Sequence, residues 1–147
     1  MTPQPWITSI FCDDIRQELG GKMSAMGVYH GFIGLPEATG NFHKFCVLTL
    51  ITAKFSPDPV PVQIRFLDGG TDLMPPLTTH VQIDPRIPTK SLDVAPITVP
   101  IEMFNFELRA GMSLCVEVTI SGEVIRGAVM PVIHVQSQVL TGGTASH

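Results

Sequence analysis

The residues of this chain that could carry out acid–base or nucleophilic chemistry are scattered along the sequence. The five histidines stand singly and far apart: His30, His43, His80, His134 and His147. There is no Gly-x-Ser-x-Gly motif, and no Ser or Cys lies near a His and an acid in a recognisable catalytic pattern. His30 and His134 fall on predicted strands that could meet across a sheet, although nothing in the sequence indicates that the two residues are neighbours. We therefore expect no catalytic residues and no enzymatic activity.

Carboxylates are a second source of chemistry, because Ca²⁺ binds several oxygen ligands at once. Three groups of them fall at predicted loops: Asp13-Asp14, Asp68–Asp72 and Asp84. An Asp beside glycine also hydrogen-bonds its own backbone in a turn, and this is the interpretation that we favour. The remaining acids considered as pairs lie on the polar side of alternating strands, where solvated residues belong: Glu102 with Glu107, and Glu117 with Glu123. Gly20-Gly21-Lys22 lacks the rest of a phosphate-binding loop, so we predict no cofactor and no metal.

The three cysteines, Cys12, Cys46 and Cys115, are odd in number and widely separated. No two of them have the short spacing of a zinc site or a redox dithiol. Each stands among apolar, strand-forming residues, where free cysteine behaves as a small hydrophobic side chain. We predict buried, reduced thiols in a reducing compartment. A Cys46–Cys115 bridge between two sheets is the alternative that the spacing leaves open.

The composition argues against several classes of protein. The chain has 147 residues, of which only 15% are charged, against about 25% in typical soluble domains. Nine Lys and Arg against thirteen Asp and Glu give a net charge of -4, which does not suit a nucleic-acid binder. No apolar run approaches the roughly 18 residues of a membrane span, and the opening residues lack the basic segment of a secretory signal. We expect neither nucleic acid nor membrane as a partner, and a location in the cytoplasm or in a virion.

The elements that would position these residues are predicted to be strands. Thirteen glycines and thirteen prolines leave few windows for a helix, since proline inside a helix costs about 3 kcal/mol and glycine about 1 kcal/mol. Between them lie short segments rich in Val, Ile, Thr and Phe with the period of two that is typical of strands. Eight strands are predicted: Trp6–Asp13, Lys22–Ile33, Phe45–Phe55, Val60–Asp68, Leu77–Ile83, Ile97–Leu108, Leu114–Ile120 and Glu123–Val135.

Two of these strands have unusual patterns. Phe45–Phe55 has apolar residues at both odd and even positions, which predicts a central strand that is covered on both faces. Ile97–Leu108 changes parity at Met103-Phe104, and a β-bulge there would keep both halves facing the core.

The connections between strands also carry signals. Ser121-Gly122 predicts a tight hairpin, because glycine tolerates the positive φ of such turns. Asp68-Gly69-Gly70 predicts another turn. Asp14–Gly21 is expected to turn at its two glycines, with room for one helical turn at Ile15–Leu19. Asp84–Pro96, with three prolines, is expected to cross between sheets.

The fold that these elements predict is a single antiparallel β-sandwich of about eight strands with little or no helix. Its topology would be Greek-key, as in immunoglobulin-like domains, or jelly-roll-like. Residues 1–140 would form the domain, and residues 141–147, which are small and polar, a C-terminal tail.

The opening residues carry a resemblance. Phe11-Cys12-Asp13-Asp14-Ile15-Arg16-Gln17-Glu18, followed by Gly21-Lys22 and by Gly27-Val28-Tyr29, resembles the N-terminal signature of a family of small uncharacterised bacterial and bacteriophage proteins. The resemblance covers roughly the first fifty residues and implies membership without a mechanism. The residues themselves point to structural roles. Asp13 or Asp14 would cap the turn, Arg16 would pair with Glu18 or another acid, and the glycines Gly21 and Gly27 would meet backbone demands.

The shortage of charge is the feature that bears most on function. It leaves uncharged surface, and large exposed apolar patches usually mark an interface; Phe45–Phe55 and Gly127–Val135 are the candidate sources. We expect a non-enzymatic structural protein that acts through protein–protein contacts, with a protein partner or as a homo-oligomer, for example as a bacteriophage virion or assembly subunit. The alternative is a cytoplasmic sandwich that binds a small ligand or calcium through its Asp-bearing loops.

Overall fold

The computed structural model describes residues 6–54, 58–81 and 94–136, and these residues form an all-β protein without a helix. It therefore contains no helix of the length and apolar character needed to cross a membrane within the described ranges. The strands are β1 (Trp6–Cys12), β2 (Asp14–Gln17), β3 (Met23–Met26), β4 (Ile33–Leu35), β5 (Thr39–Lys54), β6 (Val60–Asp68), β7 (Thr71–Asp72), β8 (Leu77–Val81), β9 (Val94–Arg109), β10 (Ser113–Ile120), β11 (Glu123–Arg126) and β12 (Met130–His134).

These strands form three sheets. The three-stranded sheet has the order β1-β5-β9, and the two-stranded sheet consists of β2 and β3. The larger, seven-stranded sheet has the order β4-β12-β10-β6-β7, with β11 paired to β10 and β8 paired to β6. The two sheets face each other across one core, where the Phe66 ring lies 6.3 Å from Phe11 and 6.0 Å from Phe106. The predicted all-β architecture is confirmed. One pair of strands within it, β4 and β12, runs parallel.

The core has the alternation that the sequence predicts. On β6, which has the predicted bounds, Val62, Ile64 and Phe66 are buried between the sheets. Even-numbered residues of β10 face them, from Leu114 to Ile120. Full burial of each such side chain stabilises the fold by about 1.5–3 kcal/mol, so these two central strands form the main apolar layer of the larger sheet.

Strand β5 is covered on both faces, as predicted. Val47 and Ile51 belong to the core between the sheets, whereas Cys46 and Leu48 pack on the opposite face against residues of β2 and β3. From Phe45 to Thr52 its side chains are buried or half-buried, so the expectation that Phe45–Phe55 contributes an exposed patch is wrong for these residues; the side chains of residues 53–55 lie outside the described part of the chain.

The parity change in β9 is real, but its form differs from the predicted bulge. Pairing with β5 is in register on both sides of the change, at Phe45↔Met103 and at Phe42↔Phe106. Both strands therefore change faces together, next to Asn105, which has a left-handed φ of 51°. A bulge would have added a residue to one strand only. The change leaves Phe104 outside the core, with 59% of its surface exposed, which contradicts the predicted core position.

Two predicted strands are interrupted. Lys22–Ile33 contains β3, a connection and the start of β4. Glu123–Val135 divides into β11 and β12, which both pair with β10 but with registers that differ by one residue, Glu117↔Arg126 and Leu114↔Met130. Gly127 lies at this break and donates its N–H to the Val116 carbonyl.

The predicted connections are largely confirmed. Ser121 and Gly122 have φ values of 51° and 77° and join β10 to β11 as a tight hairpin. Gly69-Gly70 joins β6 to β7. Residues 14–17 form strand β2 rather than a helical turn. β8 belongs to the larger sheet and β9, the next strand, to the three-stranded sheet. Residues 82–93, which connect them, and the predicted tail both lie outside the described residues.

The outer edge of β9 carries two prolines. Pro96 and Pro100 pair with Thr52 and Leu48 of β5 and lie four residues apart, so both have the same orientation along the strand. A proline nitrogen has no hydrogen to donate and within a sheet faces the open side of an edge strand. This edge therefore lacks two of the donors that a further strand would need.

Candidate functional site

The opening motif builds a small hairpin, β2–β3, that docks on the outer face of the three-stranded sheet. Its strands pair from Asp14↔Met26 to Gln17↔Met23 and join through the predicted glycine turn. Ile15 is buried beneath it against Cys12, Cys46 and Leu48. We call this element the docked hairpin (residues 14–26).

A cluster of charges ties the docked hairpin to the sheet. The Lys44 ammonium on β5 donates to Asp14 Oδ1 at 2.5 Å and lies 3.4 Å from Glu102 on β9. Arg16 Nε donates to Asp14 Oδ2 at 3.1 Å, which fits the expectation that it pairs with another acid. Hydrogen bonds from Lys44 and Arg16 lower the pKa of Asp14, and the bond to Asp14 raises the pKa of Lys44. Lys44 also lies 5.8 Å above the ring of exposed Phe104.

Asp13, Gly27 and Tyr29 close the hairpin at its base. The Tyr29 hydroxyl donates to Asp13 Oδ1 at 2.5 Å, and the Tyr29 N–H donates to the Phe11 carbonyl at 2.9 Å. Gly27 has a φ of 67°, and a Cβ there would overlap the Asp13 carboxylate. Burial, and then the bond to Asp13, raise the pKa of Tyr29 well above its ordinary value. The predicted backbone role of Gly27 is confirmed.

The cysteines are all buried and free. Cys12 and Cys46 are direct neighbours on β1 and β5, whereas Cys115 lies on β10 of the other sheet, where its thiol donates to the Gly127 carbonyl at 3.4 Å. The alternative of a Cys46–Cys115 bridge is wrong, because both thiols are free and Cys46 packs on the outer face of its sheet, outside the core that separates that sheet from β10. Burial raises the pKa of all three thiols, that of Cys12 to about 11 with a further contribution from Cys46.

Three potential metal ligands meet beside the docked hairpin. Ligand atoms of Asp14, Cys46 and Glu102 lie within 4.8 Å of one another. The Lys44 ammonium already contacts both carboxylates, and the raised pKa of Cys46 keeps its thiol protonated. The arrangement is that of an ion-pair cluster. Sequence reasoning missed it because the grouping depends on the register between β5 and β9.

The Asp-bearing loops have partners of their own. Asp68 Oδ1 accepts the Ser113 N–H at 2.9 Å. Both carboxylate oxygens of Asp72 accept from Arg65, at 3.0 and 2.9 Å, and this pairing lowers the pKa of Asp72. These contacts occupy both carboxylates and so disfavour a calcium site, but they are made with β10 and with Arg65 and not with the backbone of the turn itself, as the turn interpretation expects. Asp84 lies outside the described residues.

Glu117 departs from its predicted position among solvated residues. Its side chain is 7% exposed on the outer face of β10, where Arg65 Nη1 and Arg126 Nε donate to it at 3.1 and 2.8 Å. Bonds to Asp72 first, and then to Glu117, raise the pKa of Arg65. The four residues form a neutral network. The alternation of polar and apolar residues along β10 predicted the correct face for Glu117, but it could not show that two arginine side chains cover that face.

The described histidines remain apart. His134 Nε2 lies 3.1 Å from the Pro36 carbonyl oxygen, and His30 stands exposed in the connection before β4. His43 is exposed on β5. His80 is exposed on β8, at a groove of about 550 Å³ between β8 and β9. His147 lies outside the described residues.

An apolar patch lies at the β4 edge of the larger sheet. Gly34 on β4 pairs with Ile133 on β12. Because Gly34 has no side chain, Phe32 and Val135 lie over it: a Cβ there would be 3.3 Å from Phe32 Cε2 and 2.7 Å from Val135 Cγ2. Phe32 and Ile133 are 47% and 41% exposed. We call Phe32, Gly34, Ile133 and Val135 the edge patch. The expectation that Gly127–Val135 contributes exposed apolar side chains is confirmed for Val129 and Ile133.

Comparison of the chain with protein-family models, with curated proteins and with solved structures gave no match. The resemblance of the opening residues therefore stays a prediction. The edge patch and the docked hairpin above Cys12 and Cys46 are the features of the molecule that bear on its function.

Proposed function

We propose that the protein is a non-enzymatic interaction protein that associates with a second copy of itself through the edge patch. The supporting observation is that two large apolar side chains, Phe32 and Ile133, are each about half exposed and both adjoin Gly34 at the end of a sheet: Gly34 pairs with Ile133, and a Cβ on Gly34 would lie 3.3 Å from the Phe32 ring. Single exposed apolar residues are common on soluble proteins, whereas contiguous groups usually mark an interface.

A second copy is the partner that the patch fits best. In a twofold dimer each copy presents the same surface to the other, so an apolar patch meets an apolar patch and no charge complement is needed. Phe32 and Val135 fill the space above Gly34, so the middle of the patch presents apolar atoms to a partner. Among the described residues β4 pairs only with β12, and its outer edge is open.

The wider role that we propose is that of a structural subunit in a larger assembly, such as a bacteriophage particle. The low charge content and the resemblance of the opening residues support it. The alternative, a calcium or small-ligand protein, receives less support because the carboxylates of Asp68 and Asp72 are already bonded within the chain.

Size-exclusion chromatography with light scattering tests the association. We expect the wild-type chain at about 100 µM to have twice the 15.9 kDa monomer mass. Phe32→Ser with Ile133→Ser removes two half-exposed apolar side chains from each copy, which weakens association by at least about a hundredfold. The variant should therefore elute as a monomer.

Val124→Ser is the matched control. Val124 is 62% exposed and pairs with Thr119 at the far end of β10, so its replacement should leave the dimer intact. A wild-type chain that stays monomeric at this concentration would refute the proposal. So would a dimer that the double variant leaves unchanged.

A further inference from the structure

Cys12 and Cys46 form a dithiol whose geometry suits a disulfide. They are directly opposite on β1 and β5 and belong to the same small buried cluster. Opposed residues of an antiparallel pair have Cα atoms about 4.5–5.5 Å apart, which lies within the 4.4–6.8 Å range of disulfides. Both thiols are free and fully buried. The strand pairing therefore places their Cα atoms at a separation that a disulfide can span.

The docked hairpin is what separates these thiols from solvent. The Cys46 thiol donates to the carbonyl of Asp13, at the start of the hairpin, at 3.7 Å, and Ile15 packs beside both cysteines. A two-stranded hairpin is marginally stable by itself. This one is held by a small apolar cluster and by the Asp14–Lys44 pair. Undocking is therefore a local opening that leaves the main core between the sheets intact.

We propose that Cys12 and Cys46 are a covalent modification site for low-molecular-weight disulfides, which react when the hairpin undocks. The Cys46 thiolate attacks one sulfur of the small disulfide, so that a mixed disulfide forms and one small thiolate leaves. The Cys12 thiolate then attacks Cys46 Sγ, so that the Cys12–Cys46 bond forms and the second small thiolate leaves. Two electrons pass from the protein dithiol to the small disulfide, and the two protein protons go to the departing thiolates.

Lys44 links the position of the hairpin to the reactivity of Cys46. Both residues lie on the same face of β5, two positions apart. In the docked state Lys44 is paired with Asp14, and burial keeps the thiols protonated. Undocking removes Asp14 and exposes Cys46 to water, while Lys44 remains beside it with Glu102 as its other acidic neighbour. A nearby ammonium and solvent exposure both favour the thiolate, which is the reactive form.

The site is tested on the full chain carrying Cys115→Ser, so that only two thiols remain. The protein is incubated with oxidised glutathione at about pH 8 under native conditions, quenched with N-ethylmaleimide and analysed by intact mass and non-reducing peptide mapping. We expect the loss of two hydrogens and a peptide that links residue 12 to residue 46. The added change Cys12→Ser should stop the reaction at glutathione on Cys46. The absence of a linked peptide would overturn the site.

The gating by the hairpin is tested by the rate of linkage. Asp14→Asn removes the charge that holds Lys44 and should speed the reaction several-fold. Asp72→Asn, which breaks a comparable pair with Arg65 on the other sheet, should leave the rate within about twofold. Gly27→Ala should speed it by at least about tenfold, because an alanine with left-handed φ, overlapping the Asp13 carboxylate, strains the base of the hairpin. Equal rates in all of these proteins would overturn the gating.

Discussion

The contact between Gly27 and Asp13 makes a quantitative prediction about stability. Alanine in the left-handed region costs about 1–2 kcal/mol, and Gly27 has a φ of 67°. The new Cβ would also overlap the Asp13 carboxylate, which accepts the Tyr29 hydroxyl. A hydrogen bond to a charged group contributes about 1.5–3 kcal/mol; since Asp13 is exposed to water, we take about 1 kcal/mol. Gly27→Ala should therefore lower the free energy of unfolding by about 2–3 kcal/mol.

Gly122→Ala supplies the matched control. Gly122 has a φ of 77° and no atom within 4 Å of a Cβ at that position, so only the backbone strain of about 1–2 kcal/mol applies. Urea unfolding followed by circular dichroism and by the fluorescence of Trp6, the single tryptophan, measures both. In an Asp13→Ala background the cost of Gly27→Ala should fall towards that of Gly122→Ala, because the carboxylate is removed and only the Cβ of residue 13, at 3.0 Å, remains close. If Gly27→Ala costs no more than Gly122→Ala in the wild-type background, the proposed overlap with Asp13 is wrong.

Three further outcomes are expected. Tyr29 is the only tyrosine, so absorbance at 295 nm reports its ionisation alone: its midpoint should lie above the ordinary value of about 10. Because the pKa of Tyr29 is raised in the folded state, the neutral Tyr29 hydroxyl stabilises the fold fully below about pH 10, and this stabilisation is lost as the pH rises further. A midpoint of Tyr29 ionisation in the folded protein at or below that of the protein in urea would contradict this. Thr49→Val should raise the free energy of unfolding by about 1 kcal/mol, because the buried Thr49 hydroxyl has no hydrogen-bond partner within the described part of the chain. A destabilised variant in urea titration would show that the hydroxyl is satisfied. Glu117→Gln should lower stability by about 1–3 kcal/mol, since Arg65 and Arg126 lose their shared carboxylate; unchanged stability would mean that the network is dispensable.

Local patterns predicted those elements whose stability comes from local residues. Val60–Asp68 alternates cleanly and has the bounds that the sequence indicates. The Ser121-Gly122 hairpin depends on a turn type that two residues specify. The two-sided apolar pattern of β5 also predicted its coverage on both faces, although not that a hairpin from the opening motif supplies one of the covers.

The features that could not be predicted depend on register between distant segments. In β9 the residues that face the core change from odd-numbered to even-numbered positions. This is explained only by the matching change in β5, because the two strands stay paired in the same register on both sides of it. Cys12 and Cys46 are 34 positions apart in the sequence, and no spacing rule makes them neighbours. Glu117 is buried because arginines from β6 and β11 reach across β10, which a single strand's alternation does not contain.

The two prolines on β9 restrict how many molecules can join. Sheets that meet side by side along this margin would find Pro96 and Pro100 where amide hydrogens are required. A twofold contact at β4, in contrast, buries the same surface of both copies and leaves none of it free to bind a third copy. Self-association by this route would end at a defined particle of two chains, and fibrous growth would need a different margin of the molecule.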